Sequence, residues 1–163
     1  PEPPVGQPAT AVAFRVVDHH LAQANVAYAL APLDTPKMAG FVRASAHVNR
    51  AADAADGFVW RLQDAAAVPF LGDERWVVNV SVWTSMAAFE TFSFSDPHRR
   101  IMQLRSRWFE PHDHPATACW WVPAGHLPDL AEAHRQVLRL WEDGTSAEVF
   151  GLGAGVPPAP PVS

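Results

Sequence analysis

Several polar side chains that could bind a substrate lie two residues apart in this sequence, with apolar side chains between them. The run VNVSVW carries Asn79, Ser81 and Trp83, and an earlier run places Gln23 and Asn25 in the same way. Asparagine amides can hydrogen-bond a polarised substrate carbonyl and so stabilise the charge that develops on its oxygen. Amides that satisfy each other's hydrogen bonds are the alternative, and the sequence leaves both open.

Arg61 and His98 are the basic candidates. The planar donors of a guanidinium suit a carboxylate, enolate or peroxide oxygen, although a salt bridge across the sheet or across a dimer would also use Arg61. His98 closes the run Ser95-Asp96-Pro97-His98. An imidazole titrates near neutral pH, so His98 could act as a general base or a proton donor. Capping of a helix N-terminus or pairing with Asp96 is the structural alternative.

Tryptophan is unusually frequent, with seven Trp and nine Phe against one Tyr. Because Trp is the bulkiest residue to place, several of these rings should line a core, an interface or a pocket. A box for a planar substrate would draw on Trp60, Trp83, Trp108, Trp120 and Trp121. Of the adjacent pair, a strand would send one ring to the helices and one to a cavity, and Trp121 is our candidate. His126 would close the cavity rim, or hydrogen-bond the backbone of a turn.

Two histidine-rich runs raise the question of a metal site. In His112-Asp113-His114 the imidazoles would point the same way, but no third and fourth ligand follow at a diagnostic spacing, and Asp18-His19-His20 is equally incomplete. We therefore predict no metal. Cys119, the lone cysteine, is typical of a small buried hydrophobe. No phosphate-binding glycine loop, nucleotide fingerprint or Ser-His-Asp spacing occurs, which excludes kinases, Rossmann enzymes and common hydrolases.

The elements that position these residues follow from periodicity and from helix breakers. Strands are predicted over residues 20 to 30, 57 to 63, 75 to 84 and 117 to 123. Helices are predicted over 36 to 56, over 85 to 109 with a break at Asp96-Pro97, and over 129 to 142. The order strand, helix, strand, strand, helix, strand, helix predicts an α+β fold. It is the ferredoxin-like split βαβ arrangement with an antiparallel sheet and an added C-terminal helix.

Alternation divides each strand into two faces. One face is apolar and takes Phe58, Trp60 and Leu62 from the second strand, and we expect this apolar face to meet the helices. The other face, called the mixed face below, gathers Arg61 with the amides and Trp83. It suits an enclosed, partly wet cavity or a dimer contact, and a solvated surface is the alternative. The burial of Trp83 decides between these possibilities.

Length and composition limit the function. A chain of 163 residues, 48% hydrophobic, predicts one domain over residues 14 to 145, between a disordered tail (1 to 13) and a Pro/Gly-rich tail (146 to 163). The net charge of −5 offers no basic face, so nucleic acid is not an expected partner. One cysteine, no signal segment and no apolar run of bilayer length predict a cytoplasmic protein that does not enter membranes.

Four runs carry a resemblance to a family: GFVWRLQ (57 to 63), VNVSVW (78 to 83), HRRIMQLRSRWF (98 to 109) and WWVPAGH (120 to 126). In order and spacing they resemble an uncharacterised bacterial family, the domain of unknown function three-two-nine-one, over approximately residues 20 to 145. That family looks like a branch of the dimeric α/β-barrel superfamily, with the antibiotic-biosynthesis and haem-degrading monooxygenases and various cyclases and isomerases. The resemblance implies the fold and a homodimer and leaves the chemistry open.

The superfamily resemblance also suggests roles. The turn that ends at His98 is similar to a Ser-Pro-His-like turn after the third strand of superfamily members, which makes His98 the first candidate. Cofactor-free members use an Asn and a Trp beside the cavity, and Asn25, Asn79 and Trp83 match those parts by position. In haem-degrading members a His ligand lies about one turn further along the helix. This chain has Met102 there, which argues against haem ligation of that style.

We therefore expect a homodimeric tailoring enzyme for an apolar or aromatic small molecule, without a cofactor, acting by oxygenation or by cyclisation or isomerisation. His98 would move the proton, Arg61 and Asn79 would hold the oxygen that gains charge, and the remaining candidates would bind substrate: Asn25, Trp60, Trp83, Trp108, Trp121 and His126. Two alternatives stay open. One is a haem-binding protein or haem enzyme that uses the same cavity, and the other is a non-catalytic ligand-binding dimer module.

Overall fold

The order of helices and strands follows the prediction closely. A computed structural model describes residues 18–63, 69–153 and 155–161 of the chain. Its elements are β1 (His19–Ala29), α1 (Ala39–Asp53), β2 (Phe58–Arg61), β3 (Trp76–Trp83), α2 (Met86–Ser93), α3 (Asp96–Gln103), β4 (Phe109–Glu110), β5 (Thr117–Pro123), α4 (Leu130–Asp143) and β6 (Phe150–Gly151). Ser85 caps α2 by accepting from the Ala88 amide at 3.1 Å. A second helix start at Ser95 produces the predicted break.

The sheet has the ferredoxin-like arrangement that the element order predicts. Its strands run in the order β2-β3-β1-β5-β6, every pair is antiparallel, and β4 pairs with the end of β1. β3 lies between β1 and β2, the two strands that α1 connects, which is the split βαβ unit. The long central strand β1 therefore contributes side chains to the middle of both sheet faces.

The apolar face is buried by one helix. Its small and β-branched residues pack against the inner stripe of α4 and against Phe70 of the β2–β3 connection. The sheet side chains of this cluster are Ala22, Ala24, Val26, Val78, Val80, Val82, Ala118, Trp120 and Val122. Of these, Val80 and Val82 are fully buried within the single chain. The expectation that the apolar face meets the helices is thus correct for α4 alone.

The other three helices, α1, α2 and α3, cover the mixed face. Two apolar clusters at opposite ends of that face hold them in place. One cluster joins Trp83 to Met86 and Phe89, and the other joins Met38 to Phe109. Because these clusters provide the contact at both ends, the polar middle of the sheet does not have to touch the helices. The inference that the apolar face is the one that meets the helices is therefore wrong for α1, α2 and α3, which pack on the mixed face.

A β-bulge in β2 changes one face assignment. Phe58 pairs with Trp83, Trp60 pairs with Val82, and the register shifts between them. An extra residue in one strand reverses the alternation beyond it. Phe58 therefore lies on the mixed face, whereas Trp60 lies on the apolar face. The prediction that both rings share one face was wrong, because simple alternation carries no signal for a bulge.

The C-terminal segment belongs to the fold. Val149 and Phe150 are fully buried, and β6 pairs with β5 through Phe150 and Cys119. Farther along, the Trp121 indole N–H donates to the Pro157 carbonyl at 3.0 Å. The prediction that the domain ends at residue 145 is therefore wrong at this boundary. The predicted N-terminal tail, residues 1 to 13, lies outside the described residues. No helix in the described part of the chain has the length and apolar character of a membrane span.

Candidate functional site

A cavity lies between the mixed face of the sheet and helices α1 and α3. Its volume is about 150 Å³, which is the size of a cavity that holds one benzene-sized molecule. Asn79, Met102 and Leu152 line it and are exposed, so they mark its opening. α1 contributes one face to the opposite wall, through Phe41, Ser45, Val48, Asn49 and Ala52.

Five of the nine predicted site residues line this cavity: Asn25, Arg61, Asn79, Trp83 and His98. They come from four different elements, and the sheet register explains the meeting. Asn79 of β3 lies directly opposite Asn25 of β1, and Arg61 of β2 lies opposite Ser81 of β3. Neighbouring strands therefore place these polar side chains side by side on the cavity floor.

A hydrogen-bonded polar network holds the floor rigid. The Gln23 side-chain amide donates to Ser81 Oγ at 2.7 Å and to Asn79 Oδ1 at 3.0 Å, and the Trp83 indole also donates to Ser81 Oγ, at 2.9 Å. Asn25 donates to Thr117 Oγ1 at 2.9 Å. Gln23 was predicted to lie on this face but not to belong to the site. Its signal in the sequence is its position two residues before Asn25, in the same alternating pattern.

This network leaves specific atoms for a ligand. Ser81 Oγ accepts two hydrogen bonds, so its own O–H is left to donate, and the Asn79 amide nitrogen donates to no described residue. Gln23 is 3% exposed, and its Oε1 is a buried acceptor without a partner among the described residues. Fixed donors beside an apolar wall are the arrangement that stabilises a developing oxyanion.

One end of the cavity is aromatic. Trp83 is 1% exposed, stacks on Phe92 with ring centroids 5.1 Å apart and meets the edges of Phe58 and Phe89. Phe58, Phe89 and Phe92 all line the cavity with it. The burial of Trp83 shows that the mixed face is enclosed and is not a solvated surface. These rings offer a planar substrate both stacking and edge contacts.

His98 lies at this aromatic end. Its Nδ1 is 2.7 Å from the Ser93 carbonyl oxygen and its ring lies 5.7 Å from that of Phe92. Because a carbonyl only accepts, Nδ1 carries the hydrogen and Nε2 keeps its lone pair. Burial lowers the pKa of His98 below its usual value, against the opposing effect of the Ser93 hydrogen bond. The imidazole is thus neutral at physiological pH, with Nε2 the basic atom.

For His98 and Arg61 the sequence also allowed a purely structural ion pair, and the structure shows one for Arg61 but, within the described part of the chain, not for His98. His98 does not pair with Asp96, whose carboxylate instead lies 3.9 Å from Arg99. Arg61 does form a salt bridge, because its Nε and Nη2 donate to the two oxygens of Asp53 in α1 at 2.8 and 3.2 Å. That hydrogen bonding lowers the pKa of the Asp53 carboxyl. Arg61 therefore lines the cavity with its charge already compensated.

Comparison with family models identifies the chain. The model of a domain of unknown function, DUF3291, matches residues 20–161. The protein belongs to this DUF3291 family. The match extends beyond the resemblance seen in the sequence and includes β6 and the C-terminal segment, which agrees with their burial. A search of curated proteins finds no match.

Solved structures from three organisms are similar to this DUF3291 member. They are protein SO0527 from Shewanella oneidensis (13% identity, TM-score 0.49, 64% of this chain and 92% of that chain), a conserved protein from Methanosarcina mazei Go1 (12%, 0.47, 66% and 93%) and SnoaB, a cofactor-independent oxygenase from Streptomyces nogalater (14%, 0.45, 68% and 96%). The oxygenase activity is that of SnoaB. The fold of the DUF3291 member is assigned from its own strand order and not from these similarities.

The other four predicted site residues lie outside the cavity. Trp60 packs with the apolar-face cluster, and Trp108 packs over Gly40 and Phe41. Trp121 does point to the mixed side, but the C-terminal segment covers its ring. His126 lies 2.6 Å from the Glu132 carboxylate at the start of α4. The sequence shows that these side chains are aromatic or titratable. Which partner covers each of them depends on tertiary packing.

Arg105, by contrast, lines the cavity and was not predicted. It lies seven residues after His98, and Ile101 and Met102 between them also line the cavity. The spacing i, i+3, i+4, i+7 is one face of a helix, continued here into the short 3-10 turn Arg105–Arg107. This spacing is present in the sequence, and it predicts Arg105 once His98 is taken as the first residue of the helix face.

The residues considered for metal or thiol chemistry have structural roles. His112 contacts Trp76, and His114 stacks on Trp141 with ring centroids 4.3 Å apart. Over residues 18–63, 69–153 and 155–161 no group of three or more His, Cys, Asp or Glu side chains could hold a metal ion. Cys119 is fully buried, and burial raises the pKa of its thiol to about 12.

Haem does not fit this cavity. The His98 Nε2 atom could ligate iron, but the macrocycle is far larger than the benzene-sized molecule that a cavity of about 150 Å³ holds. Its walls, including Trp83, are packed into the two apolar clusters of the mixed face. Room for haem would require these clusters to separate.

Proposed function

We propose that this DUF3291 member is a small-molecule enzyme whose reaction begins when His98 removes a proton from an aromatic or apolar substrate. The product would then form by cofactor-free oxygenation, or by cyclisation or isomerisation. The observation that supports this most is the state of His98, which is half-buried on the cavity wall with Nδ1 bound to the Ser93 carbonyl. A neutral imidazole held in one tautomer is a suitable general base.

The first step uses the two parts of the cavity together. A substrate C–H or O–H bond breaks, its proton moves to His98 Nε2, and the electron pair moves onto a conjugated substrate oxygen. The Ser81 hydroxyl and the Asn79 amide would donate to that oxygen, while the substrate ring lies against Trp83 and Phe92. Such fixed donors lower the free energy of the charged intermediate without having to reorganise.

The later steps differ only in what the resulting anion meets. Return of the proton to another carbon gives isomerisation, and attack on a second carbonyl of the same molecule gives cyclisation. In oxygenation the anion donates electrons to dioxygen, which is then the co-substrate and the oxidant. All three share the proton transfer to His98, so one variant tests the common step.

The polar groups in the cavity favour an enzyme over a ligand-storage module. A non-catalytic apolar pocket needs no buried amide, and burying a polar group without a partner costs free energy. Gln23, whose Oε1 has no partner among the described residues, is such a group. Sites that retain this kind of unfavourable burial commonly do so for binding or chemistry.

The decisive experiment measures proton abstraction directly. A panel of single-ring aryl ketones and phenols, each tested with and without a carboxylate side chain, is incubated in D₂O under air, and loss of C–H signal, oxygen uptake and product mass are recorded. We expect turnover of at least one probe by the natural protein and a loss of about 10²-fold or more in His98→Gln. His126→Gln is the matched control, because that imidazole contacts Glu132 away from the cavity.

Two results would contradict the proposal. One is turnover that is equal in the natural protein and in His98→Gln. The other is the absence of exchange and oxygen uptake across the whole panel. A loss of turnover in His126→Gln as large as in His98→Gln would likewise show that the effect comes from altered folding and not from a missing base.

A further inference from the structure

The ionisable residues that line the cavity are all basic. They are Arg61, His98 and Arg105, and the described lining includes no Asp or Glu. The chain as a whole carries a net charge of −5. A basic lining in an acidic protein is a local departure from the overall charge balance, and enclosed walls strengthen its effect on a bound ligand.

Only one of these three groups presents an uncompensated charge. His98 is neutral because burial lowers its pKa, and Arg61 is held by both oxygens of Asp53. Arg105 forms no salt bridge with any described carboxylate. Its guanidinium instead lies 5.9 Å from the centre of the Phe109 ring. The side chain is half-buried, so part of its hydration is already lost. A bound anion would give this guanidinium the countercharge and the hydrogen-bond acceptors that no described carboxylate supplies.

Arg105 lies at the end of the cavity opposite the aromatic end. It is seven residues beyond His98, or about 10 Å along a helix at 1.5 Å per residue. It is near Phe109, which belongs to the cluster around Met38 and not to the one around Trp83. A molecule that reaches both ends must cross the polar floor between them, where the Asn25 and Asn79 amides lie.

We propose that the substrate is an aryl-substituted carboxylic acid whose carboxylate binds Arg105 while its ring lies against Trp83 and Phe92 beside His98. This inference rests on the proposed function, since it assigns the substrate class of the same cavity. A single guanidinium matches the two oxygens of a carboxylate. A phosphate would bring a second charge and a third terminal oxygen, for which this end of the cavity offers no further described cation.

Binding of a matched pair of probes tests the proposal without requiring turnover. 3-Phenylpropionate and 3-phenylpropanamide have the same size and ring and differ in charge. Isothermal titration at low ionic strength should show the carboxylate binding about tenfold more tightly than the amide to the natural protein. In Arg105→Gln we expect the carboxylate affinity to fall to that of the amide, while the amide affinity stays unchanged. The unchanged amide affinity shows that the cavity remains folded.

Arg107→Gln is the matched control, because Arg107 lies in the same 3-10 turn, is exposed and does not line the cavity. It should keep the full preference for the carboxylate. Equal affinities in the natural protein, a preference that survives in Arg105→Gln, or no binding of either probe would each overturn the proposal. A natural protein that prefers the carboxylate through Arg105 but transfers no proton from any probe would reject the proposed function alone.

Discussion

At the scale of single residues, the properties of His98 come from its surroundings. It is one of eight histidines in the chain, and neither its tautomer nor its pKa follows from its type. The Ser93 carbonyl holds the hydrogen on Nδ1, and burial lowers the pKa. Arg61 shows the reverse case, since its type suggested an oxygen clamp but Asp53 already occupies two of its donors.

His98 gives the first prediction, which concerns pH. Its pKa is lowered in the folded protein, as is that of His112, mainly through burial. Below about pH 6.5 the unfolded chain therefore binds protons that the folded chain does not, so the free energy of unfolding should decrease as the pH falls. Urea unfolding between about pH 7 and about pH 5 measures this decrease.

His98→Gln should show a smaller decrease over the same interval, because one of the two contributing imidazoles is gone. For the proton transfer proposed above, the acid limb of kcat/KM should have its midpoint below pH 6.5, since the proposed base stays neutral until its lowered pKa is reached. A midpoint above pH 6.5, or identical pH dependence of stability in the two proteins, would contradict the lowered pKa.

At the scale of elements, the cavity is built from faces. α3 and the turn after it contribute one helical face, α1 contributes another, and β1, β2 and β3 contribute their mixed faces. The floor depends on register, because a shift of one residue in β3 would replace Asn79 and Ser81 by valines. β6 then pairs with the edge of β5, and the segment after it places Leu152 at the opening.

The burial of the C-terminal segment gives the second prediction. Phe150 is fully buried in contact with Trp121, so Phe150→Ala should lower the free energy of unfolding by about 3–5 kcal/mol. Phe94 is 68% exposed, and Phe94→Ala should change it by no more than about 0.5 kcal/mol. Chemical denaturation of both variants checks the difference. Equal effects would mean that β6 does not pack against the sheet as described.

At the scale of the whole molecule, the single chain covers both faces of its own sheet. α4 buries the apolar face, and α1, α2 and α3 enclose the mixed face around the cavity. Neither face has to recruit a second copy to remove apolar surface from water. For the homodimer that the family resemblance implies, we therefore expect a contact at the strand edges or the outer helix surfaces.

The third prediction is the oligomeric state. From the resemblance we expect a dimer of about twice the chain mass of 17.8 kDa. Size-exclusion chromatography with light scattering, at several protein concentrations, measures this mass. Because no sheet face is free in the described part of the chain, Val80→Ala should lower stability without dissociating the dimer. A monomer at every concentration would show that the dimer implied by the resemblance does not hold for this chain.

Local sequence signals determined a large part of this protein. Breakers and caps such as Ser85 and Asp96-Pro97 set the order of the elements, and that order specified the ferredoxin-like sheet. Alternation in VNVSVW placed Asn79 and Trp83 on one face, and the run resemblances identified the DUF3291 family. These signals are reliable because period, capping and turn chemistry act between residues close in sequence.

Tertiary structure alone decided the rest, because it depends on contacts between distant residues. The bulge moved Phe58 to the cavity side, Pro157 covered Trp121, and α4 occupied the apolar face. Asp53 neutralised Arg61, which left Arg105 as the cavity's uncompensated cation among the described residues. Whether an aromatic ring or a charge is available to a ligand depends on what else packs against it, and spacing along the chain does not contain that information.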